Sequence, residues 1–178
     1  EMTIKPFDLE HIPVESGQNW KKTVLSDFIR YESTDKIIGS GFNLANLSQD
    51  LGYAIEFRSK NISGFPLRVC IKNLYSRRCD VYDEFSKSSQ WVTDTFVLPP
   101  MNQGLGYKIE LSNISYGTIP GINELAEIKI AGFPYYLLKE SRSTINLNPN
   151  REKQSIILNF NDFGFGKIVE LPSALPNN

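Results

Sequence analysis

The chain has 178 residues, 40 % of them hydrophobic and 12 % aromatic, enough for a packed core and too apolar for a chain disordered throughout. Its formal net charge is −1, and the basic pairs Lys21 with Lys22 and Arg77 with Arg78 are too short to track a phosphate backbone, so nucleic acid is not an expected partner. No apolar run approaches the roughly 20 residues that span a bilayer; the longest, 130–138, is interrupted by Gly132 and Pro134, so no membrane insertion is expected within this segment.

The first residues carry neither a basic start nor an apolar centre. The chain begins at Glu1 and reads as a segment or processed product of a longer protein, any anchor or export signal lying outside it. Residues 1–35 alternate poorly; within them 20–30 fits a strand or a short helix, with Val24, Leu25, Phe28 and Ile29 at helical offsets. From Gly52 the period becomes two. Tyr53, Ile55 and Phe57 point one way and Ala54, Glu56 and Arg58 the other, a half-buried strand. After a turn at 61–66, residues 67–73 repeat the pattern, with Leu67, Val69 and Ile71 inward and Arg68, Cys70 and Lys72 outward. A further strand is expected at 78–85 and another at 90–98, stopped by Pro99 and Pro100.

Residues 106–113 alternate again, Tyr107, Ile109 and Leu111 against Lys108, Glu110 and Ser112. Beyond the 117–121 loop, 124–131 presents Leu125, Ile128 and Ile130, and later strands are expected at 155–160 and 166–171. The polar stretch 139–154 reads as a loop, and 171–178, with Pro172 and Pro176, as an exit linker. Many short strands with Gly and Pro at their boundaries predict an all-β, antiparallel β-sandwich or barrel in one domain spanning 1–178, with a minor helix and long loops.

Cys70 and Cys79 are the only cysteines. If 67–73 and 78–85 form a hairpin centred on Leu74 and Tyr75, the two sulfurs oppose each other at a separation a disulfide can close. The spacing permits the bridge without demanding it, since Leu-Tyr is a poor two-residue turn. A bridge implies an oxidising compartment. Three N-x-S triplets, at Asn46, Asn61 and Asn113, are formal glycan acceptors in a secreted chain, although a sequence rich in Asn and Ser produces them by chance.

The order of features between 52 and 132 resembles the galactose-binding-like jelly roll, the fold of many carbohydrate-binding modules. The resemblance rests on the strand Gly52-Tyr-Ala-Ile-Glu-Phe-Arg58 before the hairpin and on Gln90-Trp91-Val-Thr-Asp-Thr-Phe-Val-Leu-Pro99 after it. Gly106-Tyr-Lys-Ile-Glu-Leu-Ser112 and the closing Ile122-Asn-Glu-Leu-Ala-Glu-Ile-Lys-Ile130 complete it. It covers about half the chain and implies a fold rather than a chemistry. Such domains commonly bind glycans, cell surfaces or partner proteins, beside an enzyme or a membrane anchor. The family often holds a structural calcium through an Asp of the closing strand; the matching position is Glu127, a longer carboxylate.

Little in the chain points to catalysis. Asp80 and Glu84 share a strand face but are separated by about 13 Å of rise, too far for either glycosidase geometry; Asp83, Glu124 and Glu127 read as a solvated strand surface. The pairs Gly39/Gly41, Gly104/Gly106 and Gly164/Gly166 lack the remaining glycines and the Lys of a phosphate loop. The one histidine, His11, lies in a polar stretch, and no serine sits in a nucleophile elbow. Binding is the more economical reading, since aromatic faces stack on the apolar side of sugar rings while polar groups fix the hydroxyls. Tyr75, Tyr82, Trp91 and Tyr116, with Arg68 on an outward face, are the candidate ligand-binding residues; Tyr75 and Tyr116 fall in expected loops, and Trp91 fits either an outward position or the core. The expected function is a non-catalytic carbohydrate-binding accessory domain of an extracytoplasmic or membrane-attached protein; the alternative is a protein-interaction or structural ectodomain with no small ligand.

Overall fold

The computed structural model describes residues 2–5, 12–44, 47, 51–98, 105–134, 144–145, 156–157 and 167–169. His11, Asn46, Gly104, Gly164, the proline stop at 99–100, most of 139–154 and the linker 171–178 lie outside the described residues.

Three short strands begin the chain: β1 (Met2–Ile4), β2 (Val14–Gly17) and β3 (Trp20–Val24). The eight that follow make the sandwich: β4 (Ile29–Ser33), β5 (Ile37–Leu44), β6 (Leu51–Ser63), β7 (Arg68–Asn73), β8 (Cys79–Glu84), β9 (Val92–Leu98), β10 (Tyr107–Ile114) and β11 (Gly121–Pro134). Three short pieces close the described chain: β12 (Thr144–Ile145), β13 (Ile156–Ile157) and β14 (Lys167–Val169).

All pairings are antiparallel, and they fall into two main sheets. The smaller has the order β5-β10-β7-β8; the larger contains β9-β6-β11-β4, extended by β3 and β2 at one edge and by β14 at the other. From β4 to β11, successive strands cross between the sheets, except for the β7–β8 hairpin. With these two orders, that crossing is the jelly-roll topology. The all-β sandwich read from the sequence is therefore the fold. The minor helix is absent among the described residues, where 20–30 is instead a β3–β4 hairpin whose turn is closed by the Leu25 N–H donating to the Phe28 carbonyl at 2.9 Å.

Period two is what builds the core. Tyr53, Ile55 and Phe57 of β6 face Val69 and Ile71 of β7 and Ile109 and Leu111 of β10, all buried. Phe57, Phe85 and Phe96 pack their rings at centroid distances of 5.0–6.1 Å, and burying one such side chain stabilises the fold by roughly 1.5–3 kcal/mol. In β11 the inward residues Leu125 and Ile128 are an odd number of positions apart. A register shift between Leu125 and Glu127 accounts for it: the bulge inserts one residue and resets the parity.

Gly39 and Gly41 belong to strand β5; a side chain at Gly39 would meet the Leu111 carbonyl oxygen of β10 at 1.9 Å. The turn expected at 61–66 starts later, because β6 runs to Ser63 before Gly64 turns with φ of 70°.

At one end of the sandwich a chain of amides ties the layers together. Asn61 donates to Asn123 (2.9 Å), Asn123 to Asn113 (2.8 Å) and to the Phe65 carbonyl (2.8 Å), and Asn113 to Ser33 (2.7 Å) and the Gly121 carbonyl (3.1 Å). Asn61 and Asn113 head two of the N-x-S triplets. Their exposures of 6 % and 0 % and their engaged amide nitrogens remove them as glycan acceptors in the folded chain.

Candidate functional site

The disulfide forms between Cys70 and Cys79, with Cα atoms 5.3 Å apart. The two residues are not directly opposed as the simple hairpin predicted. Cys70 pairs with Tyr82 and Lys72 with Cys79, across a register shift. The connection is a longer turn: the Asn73 side-chain oxygen accepts from the N–H of Tyr75 and of Ser76, and Arg77 adopts a φ of 59°.

The five residues read as ligand-binding occupy separate places. Tyr75 is exposed in the β7–β8 turn. Arg68 and Tyr82 sit together on the outer face of the smaller sheet, where Arg68 donates to the Tyr82 hydroxyl at 3.3 Å, lies over its ring at 5.5 Å and pairs with Glu84 at 3.6 Å. The Tyr82 hydrogen bond is the main influence raising the Arg68 pKa above its ordinary value. Tyr116 is exposed in the β10–β11 loop, its ring edge-on to Phe65 at 6.2 Å. Trp91 stands just before β9 on the outer face of the larger sheet, the opposite side of the sandwich from Arg68 and Tyr82.

Trp91 lines a formed cleft. A cavity of ≈ 520 Å³ is lined by Lys5, Asp27, Phe28, Arg58, Trp91, Ala126 and Glu127. Each comes from a different part of the sheet for a local reason. Asp27 and Phe28 are carried by the β3–β4 turn. Arg58 is an outward residue of β6. The β11 bulge turns Glu127 outward and places it opposite Arg58. Trp91, one position before β9, has the parity of outward residues because Asp94, Phe96 and Leu98 face in.

The geometry of the cleft is aromatic and charged at once. Phe28 meets Trp91 edge-on, with centroids 5.6 Å apart and planes at 62°. Lys60 Nζ lies 4.7 Å from the indole centroid and the Arg58 guanidinium carbon 5.8 Å from it. Behind Lys60, the Glu124 carboxylate is 2 % exposed. It accepts from Arg30 Nε at 3.0 Å and from Arg30 Nη2, and pairs with Lys60 at 3.6 Å. Glu124 thus fixes the ammonium that leans on Trp91.

Glu127 pairs with Lys129 at 3.6 Å and shares the cleft with Lys5 and Arg58. Calcium takes six to eight oxygen ligands. Among the described residues no group of three or more His, Cys, Asp or Glu side chains converges, and Asp27 is the other carboxylate that lines the cleft with Glu127.

Sequence reasoning put Trp91 among five candidates, as a residue that could equally pack in the core, and gave no sign of Phe28, Asp27 and Arg58 as its neighbours. Arg58 and Glu127 were both legible as outward residues. What brings them together is the β6–β11 register, which no local pattern encodes.

No protein-family model matches the chain, and no curated protein sequence does. Among solved structures it is similar to a mutant of CBM29-2, a family 29 carbohydrate-binding module. The TM-score is 0.40 and the identity 12 %, over 65 % of this chain and 80 % of that one. A likeness of this degree says nothing of function.

Proposed function

We propose that this domain is a non-catalytic carbohydrate-binding module that holds a glycan in the Trp91 cleft, as part of a larger extracytoplasmic or membrane-attached protein. The observation that carries the reading is the convergence of an indole and a phenyl ring with Arg58, Asp27 and Glu127 in one open cleft. Its volume of ≈ 520 Å³ falls within the range of small-molecule sites, about 300–1,000 Å³. A pyranose offers the apolar face that such a wall stacks, and the hydroxyls that a guanidinium and carboxylates hold in place. An open cleft on a sheet face also lets a polymer pass across it.

Three of the five carboxylates weighed for hydrolysis are tied to cations: Glu84 to Arg68, Glu124 to Arg30 and Lys60, and Glu127 to Lys129. That favours binding over catalysis. The Cys70–Cys79 disulfide favours an oxidising, extracytoplasmic setting.

A second reading, a protein-interaction ectodomain, draws on a different observation. Phe65 and Tyr116 touch at one end of the sandwich, and Ile37, Ile62 and Ile119 are exposed in the same loops and strand ends. A broad glycan array separates the two. The wild type should bind, Trp91→Ala should lose the signal, and Tyr116→Ala and Tyr82→Ala should keep it. A wild-type sample with a folded near-UV spectrum that binds nothing on the array would sink the glycan reading and leave the apolar end as the site of interest.

A further inference from the structure

The charged groups around Trp91 differ in how they are paired. Glu127 is offset by Lys129, and Glu124 is shared by two cations, Arg30 and Lys60. Arg58 is different: among the described residues its guanidinium has no carboxylate or hydrogen-bond partner, only the indole face. Among the described residues, Arg58 is therefore the cleft cation left open to an incoming anion.

We propose that the sugar taken by this cleft is acidic, a hexuronate whose pyranose ring lies on Trp91 and whose carboxylate meets the Arg58 fork, with Lys60 adjacent. This rests on the glycan-binding reading above. A planar guanidinium matches a carboxylate with two parallel hydrogen bonds, which a neutral hydroxymethyl group does not reproduce. The Lys60 ammonium, held over the indole by Glu124, adds positive potential without offering such a fork. Asp27, the cleft carboxylate with no cation pair among the described residues, is suited to accept from the ring hydroxyls. Arg58 is thereby the specificity-determining residue and Trp91 the platform.

The test uses the whole chain and three soluble probes: oligogalacturonate, the same oligomer fully methyl-esterified, and polyglutamate. Titration calorimetry at low and at physiological salt should show oligogalacturonate binding at least tenfold tighter than its ester. Polyglutamate should compete poorly. Arg58→Gln should remove the preference for the acid while leaving weak binding of both sugars. Arg58→Lys should restore only part of it, because it keeps the charge and loses the fork. Trp91→Ala should abolish both. Equal affinity for acid and ester, or a polyglutamate that competes as well as the uronate, overturns the acidic-sugar inference. If neutral glycans bind on the array and uronates do not, this inference fails alone; if no glycan binds, the function proposed above fails with it. Arg58 is exposed, so its variants are expected to fold.

Discussion

Asn123 gives its side-chain N–H to Asn113 at 2.8 Å and takes one from Asn61 at 2.9 Å, so that a single carboxamide links β6, β10 and β11 inside the sandwich. It also holds the Phe65 carbonyl, and with it the loop that carries the exposed aromatic end. Burial makes this costly to break. Asn123→Ala leaves the Asn113 oxygen, the Asn61 nitrogen and the Phe65 carbonyl without that partner in a nearly dry region. The expected loss is about 2–3 kcal/mol in a urea titration, larger than a typical exposed substitution. A change within about 0.5 kcal/mol would mean that water replaces the amide and that the network does not hold this end together.

Gly39 owes its identity to a neighbour rather than to a turn. Its position in β5 opposes Ser112, and any Cβ would sit 1.9 Å from the Leu111 carbonyl oxygen, a backbone atom that cannot swing away. Gly39→Ala is expected to force β5 from β10 and to cost about 2 kcal/mol or more. Gly117→Ala is a useful contrast, since a Cβ there meets nothing within 4 Å and only the φ of 72° opposes it. Thermal melts of the two variants should differ, with Gly39→Ala the lower. The reverse order would show that close approach at β5 is not what selects glycine.

The same strand shows why part of the fold escaped the sequence. Period two was plain where both faces carry side chains, as at Tyr53, Ile55 and Phe57 or Tyr107, Ile109 and Leu111, and those residues are buried as read. In β5 the outward positions Gly39 and Gly41 carry none, so the alternation has only one phase to show and resembles loop punctuation. In β11 the bulge breaks the count between Leu125 and Ile128. The doubt about a two-residue Leu-Tyr turn was sound, and the longer turn at Asn73 is the physical answer. For the cleft, the sequence left Trp91 open between an outward and a core position, and only strand parity in β9 puts it on the outer face. Its partners Phe28, Arg58 and Glu127 are set by strand order and register across the larger sheet, and these are fixed by long-range pairing rather than by local pattern.

Tyr107 gives the fold a dependence on alkaline pH. It is 3 % exposed, and burial first, then the Asp80 carboxylate that it hydrogen-bonds, raise its phenol pKa well above the ordinary 10.0. The folded state therefore keeps a proton that the unfolded state gives up. Stability from this group is complete below about pH 10 and is lost as pH rises beyond it, by up to about 1.4 kcal/mol per pH unit. Tyr107→Phe removes the titration together with the Asp80 hydrogen bond. The wild type should be the more stable at pH 8, by about 1 kcal/mol, and the gap should close as pH is raised through 11. A gap that stays constant over that range would rule out a raised phenol as its cause.

The Cys70–Cys79 bridge secures an edge. Among the described residues β8 is the last strand of the smaller sheet, paired with β7 alone, and the bridge ties the two on the sheet's outer side rather than in the core. Replacing both residues, Cys70→Ser with Cys79→Ser, opens no core cavity, so its cost is that of freeing a short loop in the unfolded chain. With a sequence separation of 9, that amounts to about 2–3 kcal/mol. Reductant should lower the melting temperature of the wild type to that of the double variant and leave the variant unmoved. Local opening should follow the topology: hydrogen exchange in the double variant should accelerate at the amides of β8 and the 74–78 turn more than at those of β10, which is paired on both sides. Uniform acceleration across both strands would mean that the hairpin does not open apart from the rest, and that the disulfide acts on global unfolding alone.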